Sequence, residues 1–195
     1  NPLAIKTSKL ESVSIELDTK QKKVVAMGRL TSQKGFDLLL KAFGMINTKF
    51  SDWQLIILGE GEQRKQLEQL IQELGIEQQV MIPGLVSNPF PILKQCDLFV
   101  LSSRYEGFGN VIIEAMACGL APVATSVPGV TDILKDGYNS ILIPSRNRYA
   151  IQMALEQLIS DHNQLEKLRC NAYDSAQHYS WRIVAQHQLS LYEEA

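Results

Sequence analysis

Residues 98–119 of the chain read LFVLSSRYEGFGNVIIEAMACG. Four apolar residues open this stretch and are typical of a short buried strand, and a loop with two glycines then leads into a helical pattern that starts at Asn110. A loop between a strand and a helix N-terminus presents unpaired backbone N–H groups and the positive end of the helix dipole. The stretch therefore predicts an α/β fold whose loop suits an anionic or polyhydroxylated ligand.

Two carboxylates flank this loop, Glu106 in the loop itself and Glu114 about one turn inside the helix. Ionised carboxylates only accept hydrogen bonds, so the pair could reach different hydroxyls of one bound molecule, and sugar hydroxyls match best. Gly107 and Gly109 let the backbone approach that ligand. A glycoside hydrolase also needs two carboxyl groups, one of them protonated. Because nearby N–H donors favour the ionised form of Glu106, hydrolysis fits this loop less well.

The rest of the chain alternates short apolar runs with helical patterns, which predicts a doubly wound parallel α/β sheet. The apolar stripe of the second helix is predicted to be core and to stop at Gly75; it consists of Leu67, Leu70, Ile71 and Leu74. After Pro144 the pattern predicts helix throughout residues 148–194, with Ser180 capping a last helix. Strands are predicted near residues 24–27, 54–58, 80–82, 98–102, 122–125 and 141–143, and helices near 36–49, 62–74, 89–95, 110–118 and 130–135.

The bulk properties indicate one globular domain and exclude several function classes. The 195 residues, 45% of them hydrophobic, suffice for one domain with a well-packed core. The predicted division of the chain is a linker at 1–21, a ligand-binding domain at 22–178 and a C-terminal helix at 179–195. A net charge of −2 without a basic stripe argues against nucleic acid, and no apolar run could span a bilayer. The three cysteines are predicted to be buried free thiols, namely Cys96, Cys118 and Cys170.

Metal and histidine chemistry find little support in the sequence. All three histidines lie in the C-terminal fifth of the chain, far from the glycine loops. Asp132 and Asp136 are four residues apart on a predicted short helix, and there is no Asp-x-Asp pair of the kind that holds Mg²⁺. If a diphosphate leaves this site, cationic side chains must neutralise it.

A second loop that could meet an anion follows the first strand and carries Arg29 and Lys34 between Gly28 and Gly35. Ligands of parallel α/β sheets bind beyond the carboxyl ends of the strands, where these two cations stand. The spacing excludes a P-loop, because six residues separate the glycines and Phe36 follows. The turn at 59–61 begins like a dinucleotide fingerprint, but Arg64 occupies the third glycine position.

Taken in order, these motifs resemble the C-terminal, donor-binding domain of the retaining family 4 glycosyltransferases of GT-B fold, also called the glycosyl transferases group 1 family. The resemblance runs from about Lys23 to the end and implies a Rossmann-like domain. It rests on Gly28-Arg29 with Lys34-Gly35, on residues 59–61 and 83–86, and on residues 102–119. Residues 128–132 depart from the family pattern, which usually has a second glycine and a glutamate there.

The resemblance implies a role for each matching residue, with a nucleotide diphosphate sugar at the sheet's carboxyl edge. Arg29 and Lys34 would bind the diphosphate, the backbone at Leu85 and Val86 would meet the base, and Glu114 would accept hydrogen bonds from the ribose. Glu106 would accept them from the sugar. Backbone groups near the sugar and the phosphates would come from Gly28, Gly107, Phe108, Gly109, Asn110 and Val111.

The family likeness further implies transfer of a hexose, with UDP-hexose the expected donor, to a saccharide or lipid-linked acceptor with retention and without a metal or other cofactor. The acceptor site would lie on the enzyme's own N-terminal domain. Acceptors of these kinds imply that the enzyme is cytoplasmic and works near the inner face of a membrane. Two other readings stay open: a nucleotide-sugar epimerase of the same architecture, and a non-catalytic nucleotide-sugar-binding module.

Overall fold

The computed structural model describes residues 17–18 and 20–179, and its centre is a sheet of six parallel strands. The strands are β1 (Lys22–Met27), β2 (Trp53–Leu58), β3 (Val80–Gly84), β4 (Leu98–Leu101), β5 (Ala121–Thr125) and β6 (Ile141–Ile143). They lie in the order β3-β2-β1-β4-β5-β6. This order is that of a doubly wound Rossmann-like sheet, so the predicted fold class is confirmed.

Helices cover both faces of the sheet, because alternate residues of each strand point to opposite sides. Val24 and Ala26 belong to one core cluster and Val25 to the other, and the remaining inner strands follow the same rule. No helix within the described residues is long and apolar enough to cross a membrane. The helices are α1 (Phe36–Gly44), α2 (Arg64–Leu74), α3 (Phe90–Leu93), α4 (Asn110–Ala117), α5 (Arg148–Ser160) and α6 (His162–Ala176).

The strand order reverses between β1 and β4, and this point positions the site. Val24 pairs with Leu55 of β2 on one side and with Leu98 of β4 on the other. The connection after β1 leads through α1 to β2, whereas the connection after β4 leads through α4 to β5 on the opposite side. The helices that follow the two loops therefore lie on opposite faces of the sheet, and in sheets of this kind ligands bind at the carboxyl ends of the strands at such a point.

Two predicted helices differ from the structure. The first ends at Gly44, and residues 45–50 continue as turns, in which the Ile46 N–H donates to the Phe43 carbonyl three residues back. The helix predicted over 130–135 is wrong: residues 128–133 form consecutive turns, and Gly129 within them has φ of 80°. Val130 and Ile133 are nevertheless buried, because a compact turn also gathers apolar residues three positions apart on one side.

The C-terminal region is not one continuous helical stretch. Asp161, with φ of −113° and ψ of 87°, has non-helical backbone angles and separates α5 from α6, and its side chain accepts a hydrogen bond from the Gln164 N–H at 2.9 Å. Asn147 caps α5 in the same way, accepting from the N–H groups of the two residues Tyr149 and Ala150 at 3.1 Å. The predicted last helix with its cap at Ser180, like residues 1–16 of the predicted linker, lies outside the described residues.

The cysteines are free thiols, but they are not all buried. Cys96 is buried and its Sγ–H donates to the Ile92 carbonyl at 3.2 Å, and burial raises the pKa of this thiol to about 12. Cys118 is partly buried and Cys170 is exposed, so the prediction of a buried thiol is wrong for Cys170. A thiol with the pKa of Cys96 stays protonated at neutral pH and is chemically inert.

Candidate functional site

An ion pair joins the loops that follow β1 and β4 at the switch point. Lys34 ends a short 3₁₀ helix (Ser32–Lys34), and its Nζ lies 2.5 Å from Oε1 of Glu106. The side chains are 16% and 7% exposed, so both charges are largely removed from water. The structure thus brings together one cation and one carboxylate that the sequence placed in different loops.

Further hydrogen bonds fix the two loops against each other. Ser102 Oγ donates to the Lys34 carbonyl at 2.8 Å, and the Arg104 N–H donates to the Gln33 carbonyl at 2.7 Å. The Arg104 guanidinium also donates to the Ser32 carbonyl and reaches both carboxylate oxygens of Asp37 at 3.0 and 2.9 Å. Sequence reasoning did not assign Arg104 this role; its basic side chain within a glycine-rich loop was the available signal.

A cleft of about 270 Å³ opens beside this pair, at the carboxyl ends of β1, β2 and β3. Four of the predicted ligand-binding residues line it: Gly28, Arg29, Leu85 and Val86. The Arg29 side chain is exposed and makes no hydrogen bond or ion pair with any other described residue. Its guanidinium is therefore available to an incoming anion, whereas Lys34 already has a partner.

The turn at 59–61 shapes this cleft by close packing. A Cβ on Gly59 would collide with the Gly28 carbonyl, and one on Gly61 would lie 2.7 Å from the Leu30 nitrogen. These glycines let the loop after β2 pack against the loop after β1. Their role is therefore contact between two loops, whereas the glycines of a dinucleotide fingerprint make room for a pyrophosphate. Glu60 also lines the cleft and is paired with Arg64, which donates to the Ile82 carbonyl of β3 at 2.8 Å. Sequence reasoning missed Glu60.

The glycine loop at the start of α4 offers backbone rather than side chains. Gly107 is exposed, whereas Phe108 and Val111 pack against the core on the α4 side of the sheet. Gly109 is buried and precedes the first residue of α4, Asn110. Any ligand contact of Phe108 and Val111 would therefore involve their main chain at the positive end of the helix dipole.

Glu114 lies apart from the ion pair. It lines a separate cavity of about 110 Å³ together with Asn110, whose Oδ1 is buried without a hydrogen-bond partner among the described residues. Phe90 lines this cavity and the adjacent Pro89 lines the cleft of Arg29, so the two spaces are neighbours along α3. The surroundings are mostly apolar, and burial raises the pKa of Glu114 above its ordinary value.

Because the pKa of Glu114 is raised, the free energy of unfolding should fall as pH rises. The folded state binds the proton of Glu114 more tightly than the unfolded state, so ionising Glu114 opposes folding, and stability is lost as pH rises from about 4.5 through the raised pKa. We expect Glu114→Gln to raise Tm at pH 7 by about 1 °C, a small effect because Glu114 is partly solvated. The gain should shrink as pH falls toward 4.5, and thermal unfolding across this range measures it.

Glu77→Gln is the control, because Glu77 is exposed and forms no ion pair with a described residue. Its Tm should match that of the unchanged chain at every pH. A Glu114→Gln variant that is less stable than the unchanged chain at pH 7 would contradict a destabilising buried carboxylate.

Within residues 20–179 no three side chains of histidine, cysteine, aspartate or glutamate come together in a way that could hold a metal ion. Arg29, Lys34 and Glu106 bring two positive charges and one negative charge to the switch point, and backbone N–H groups of the glycine loop lie nearby. This set can bind an anion with its cations and a hydroxyl with its carboxylate.

The fold and the site define a doubly wound α/β domain with a charged crevice at its topological switch point. The family profile described as Glycosyl transferases group 1 matches residues 8–175, and the chain belongs to this family. The chain spans about half the length of the curated relatives it matches, 47% and 45% of two of them.

One such relative is the N-acetylgalactosamine-N,N'-diacetylbacillosaminyl-diphospho-undecaprenol 4-alpha-N-acetylgalactosaminyltransferase of Campylobacter jejuni, 31% identical over 82% of this chain and 45% of its own length. Among solved structures, the C-terminal domain of a glycosyl transferase group 1 family protein (LpcC) from Francisella tularensis superposes with a TM-score of 0.74 at 28% identity, covering 80% of this chain and 85% of that one. A mutant of TarM from S. aureus, in complex with Fondaparinux, alpha-GlcNAc-glycerol and UDP, gives a TM-score of 0.80 at 25% identity over 94% of this chain and 37% of that one.

Proposed function

We propose that this chain is the donor-binding half of a retaining, family 4 glycosyltransferase of GT-B fold. The enzyme transfers a hexose from a nucleotide diphosphate sugar, with UDP as the nucleotide, to a saccharide or lipid-linked acceptor. The observation that carries the proposal is the Lys34–Glu106 pair at the switch point, beside the cleft that Arg29 lines. That arrangement puts two cations and a hydroxyl acceptor on neighbouring loops at one edge of the sheet.

The chemistry of sugar transfer explains why these charges belong together. As the bond between sugar and diphosphate breaks, negative charge grows on the diphosphate and positive charge on the sugar ring. Arg29 and Lys34 stabilise the negative charge on the diphosphate. Glu106 accepts hydrogen bonds from hydroxyls of the sugar, whose ring becomes positively charged. Fixed charges inside a partly dry crevice act more strongly than they would in water, and they need no reorganisation during the reaction.

The nucleoside would occupy the cleft, with its base against the main chain of Leu85 and Val86 and its ribose toward Glu114. Glu114 lines a neighbouring cavity, so the ribose contact requires the nucleoside to reach along α3 from one space to the other. UDP is present in the TarM complex, and the Campylobacter relative is named for a diphospho-undecaprenol acceptor. Both names support the proposed substrate classes.

The acceptor would be bound by an N-terminal domain facing the same crevice. Leu85 and Tyr105 are 55% and 60% exposed beside the loops of the site, which suits a surface that another domain covers. Action without a metal, a cytoplasmic location and contact with the inner face of a membrane remain predictions that go with this proposal.

The proposal is tested by calorimetric titration of the chain with UDP, GDP and ADP in buffer containing EDTA. We expect saturable binding of UDP, weakened at least 10-fold by Arg29→Ala and by Glu114→Ala, because each substitution removes a charged or polar contact to the ligand. Lys65→Ala, on the exposed side of α2, is the control and should leave the Kd unchanged.

Binding that needs a divalent cation would contradict the metal-free site, and tight binding of GDP or ADP instead of UDP would change the donor. If no nucleotide binds at millimolar concentrations to the chain or to the longer protein that contains it, the proposed function is wrong. Assay of that longer protein for sugar transfer, with NMR of the anomeric configuration of the product, tests transfer and retention directly.

A further inference from the structure

A buried hydroxyl shares the carboxylate oxygen that Lys34 contacts. Ser103 Oγ donates to Oε1 of Glu106 at 2.6 Å, and Lys34 Nζ reaches the same oxygen at 2.5 Å. Ser103 is fully buried, whereas the Lys34 side chain keeps 16% of its surface exposed. One donor therefore comes from the interior of the domain and the other from its boundary with solvent.

The sheet itself holds Ser103 in place. The residue follows β4 after Ser102, and its carbonyl accepts a hydrogen bond from Thr125 Oγ1 at 2.7 Å. Thr125 is the last residue of β5 and is 1% exposed. A serine hydroxyl is placed by a single side-chain torsion, whereas a lysine ammonium depends on four. The Ser103 donor is thus better pre-organised than the Lys34 donor.

The two donors respond differently to a bound diphosphate. A diphosphate carries more negative charge than one carboxylate, so it competes with Glu106 for the Lys34 ammonium. The Ser103 hydroxyl is fully buried and its proton is already donated to Glu106, so the diphosphate competes for it far less. When Lys34 turns to the phosphates, the bond from Ser103 remains as a restraint on the Glu106 side chain.

We propose that Ser103 is a positioning residue that keeps the Glu106 carboxylate aimed at the sugar after Lys34 has moved to the diphosphate. This inference rests on the proposed function. Ser103 does not touch the ligand, and its effect on sugar binding passes through Glu106. Its hydroxyl therefore matters to the sugar part of the donor and not to the nucleoside diphosphate part.

The test compares UDP with UDP-glucose and UDP-N-acetylglucosamine by calorimetric titration of the unchanged chain, Ser103→Ala and the exposed-serine control Ser160→Ala. We expect the Kd for UDP to stay within twofold in all three. The additional affinity that the sugar confers should fall on the order of 10-fold in Ser103→Ala, as expected for the loss of a hydrogen bond to a charged group. In a Glu106→Ala background, Ser103→Ala should cause no further loss.

The outcomes separate this inference from the proposed function. If the unchanged chain gains affinity from a sugar and Ser103→Ala gains as much, the positioning role is wrong and the proposed function stands. Equal weakening of UDP and of the UDP-sugars by Ser103→Ala, or a further loss in the Glu106→Ala background, also overturns it, because Ser103 then acts on the domain as a whole. If neither sugar adds affinity in the unchanged chain, the assignment of Glu106 to the sugar fails, and this inference fails with it.

Discussion

In the proposed two-domain enzyme, Lys34→Ala should lower sugar transfer on the order of 100-fold. Lys34 would stabilise the negative charge that develops on the departing diphosphate, and loss of one such group costs roughly 3 kcal/mol of transition-state stabilisation. The substitution should also destabilise the domain by about 1–3 kcal/mol, because it leaves the largely buried Glu106 carboxylate without its cation. Steady-state kinetics and chemical denaturation measure the two effects separately.

A second substitution separates catalysis from stability. In Lys34→Ala/Glu106→Gln the glutamine has no charge to leave unpaired, so much of the stability should return while activity stays low. Lys65→Ala is the control for removing a lysine, since Lys65 is exposed on α2. If Lys34→Ala retained more than a third of the activity, or if the double substitution restored transfer, Lys34 would be a structural residue only.

The strands and the meeting of the loops that carry Lys34 and Glu106 could be predicted because both follow from local pattern. Each inner strand is a short apolar run, and polar or glycine residues begin where the strand ends, as at Met27–Gly28 and Leu101–Ser102. In a parallel sheet all such ends lie at one edge, so motifs far apart in sequence were expected at one crevice. Lys34 and Glu106, 72 residues apart in sequence, meet there.

The contacts between loops could not be predicted, because most of them use backbone carbonyls that every residue has. Ser102 Oγ donates to the Lys34 carbonyl, and the Arg104 guanidinium donates to the Ser32 carbonyl. In both bonds the acceptor is a backbone atom, so the amino-acid type of the accepting residue does not indicate the contact. The position of Glu114 shows a second limit. The sequence placed Glu114 one helical turn from the loop, but it gave no sign that the side chain lines a cavity separate from the cleft of Arg29, so that one ligand must reach along α3 to contact both.

The segment wrongly predicted as a helix, 130–135, directly follows Gly129, which packs against Gly107 of the glycine loop. Gly129, at the start of these turns, has φ of 80°, and a Cβ there would collide with the Gly107 carbonyl. The segment that departs from the family pattern thus packs directly on the glycine loop. Its left-handed glycine, rather than its apolar spacing, determines the local structure, because the close approach leaves no room for a side chain.

Gly129→Ala should therefore displace the glycine loop and lower transfer by about 100-fold in the proposed two-domain enzyme, since a shift of about 1 Å at a reacting centre has an effect of that size. Tm should also fall by several degrees. The matched control is Gly119→Ala: Gly119 has the same φ of 80°, but a Cβ there meets nothing within 4 Å. Both variants incur the backbone strain of roughly 1–2 kcal/mol, and only Gly129→Ala adds the collision.

The difference between the two variants isolates the contact between Gly129 and Gly107. We expect Gly119→Ala to lose stability without losing affinity for UDP-sugars, and Gly129→Ala to lose both. Equal affinities in the two variants would mean that the loop yields to a methyl group at no cost to the site. In that case α4, the Lys34–Glu106 pair and the hydrogen bonds of residues 102–104 would hold the glycine loop without help from the turns at 128–133, which would serve to close the core around Val130 and Ile133.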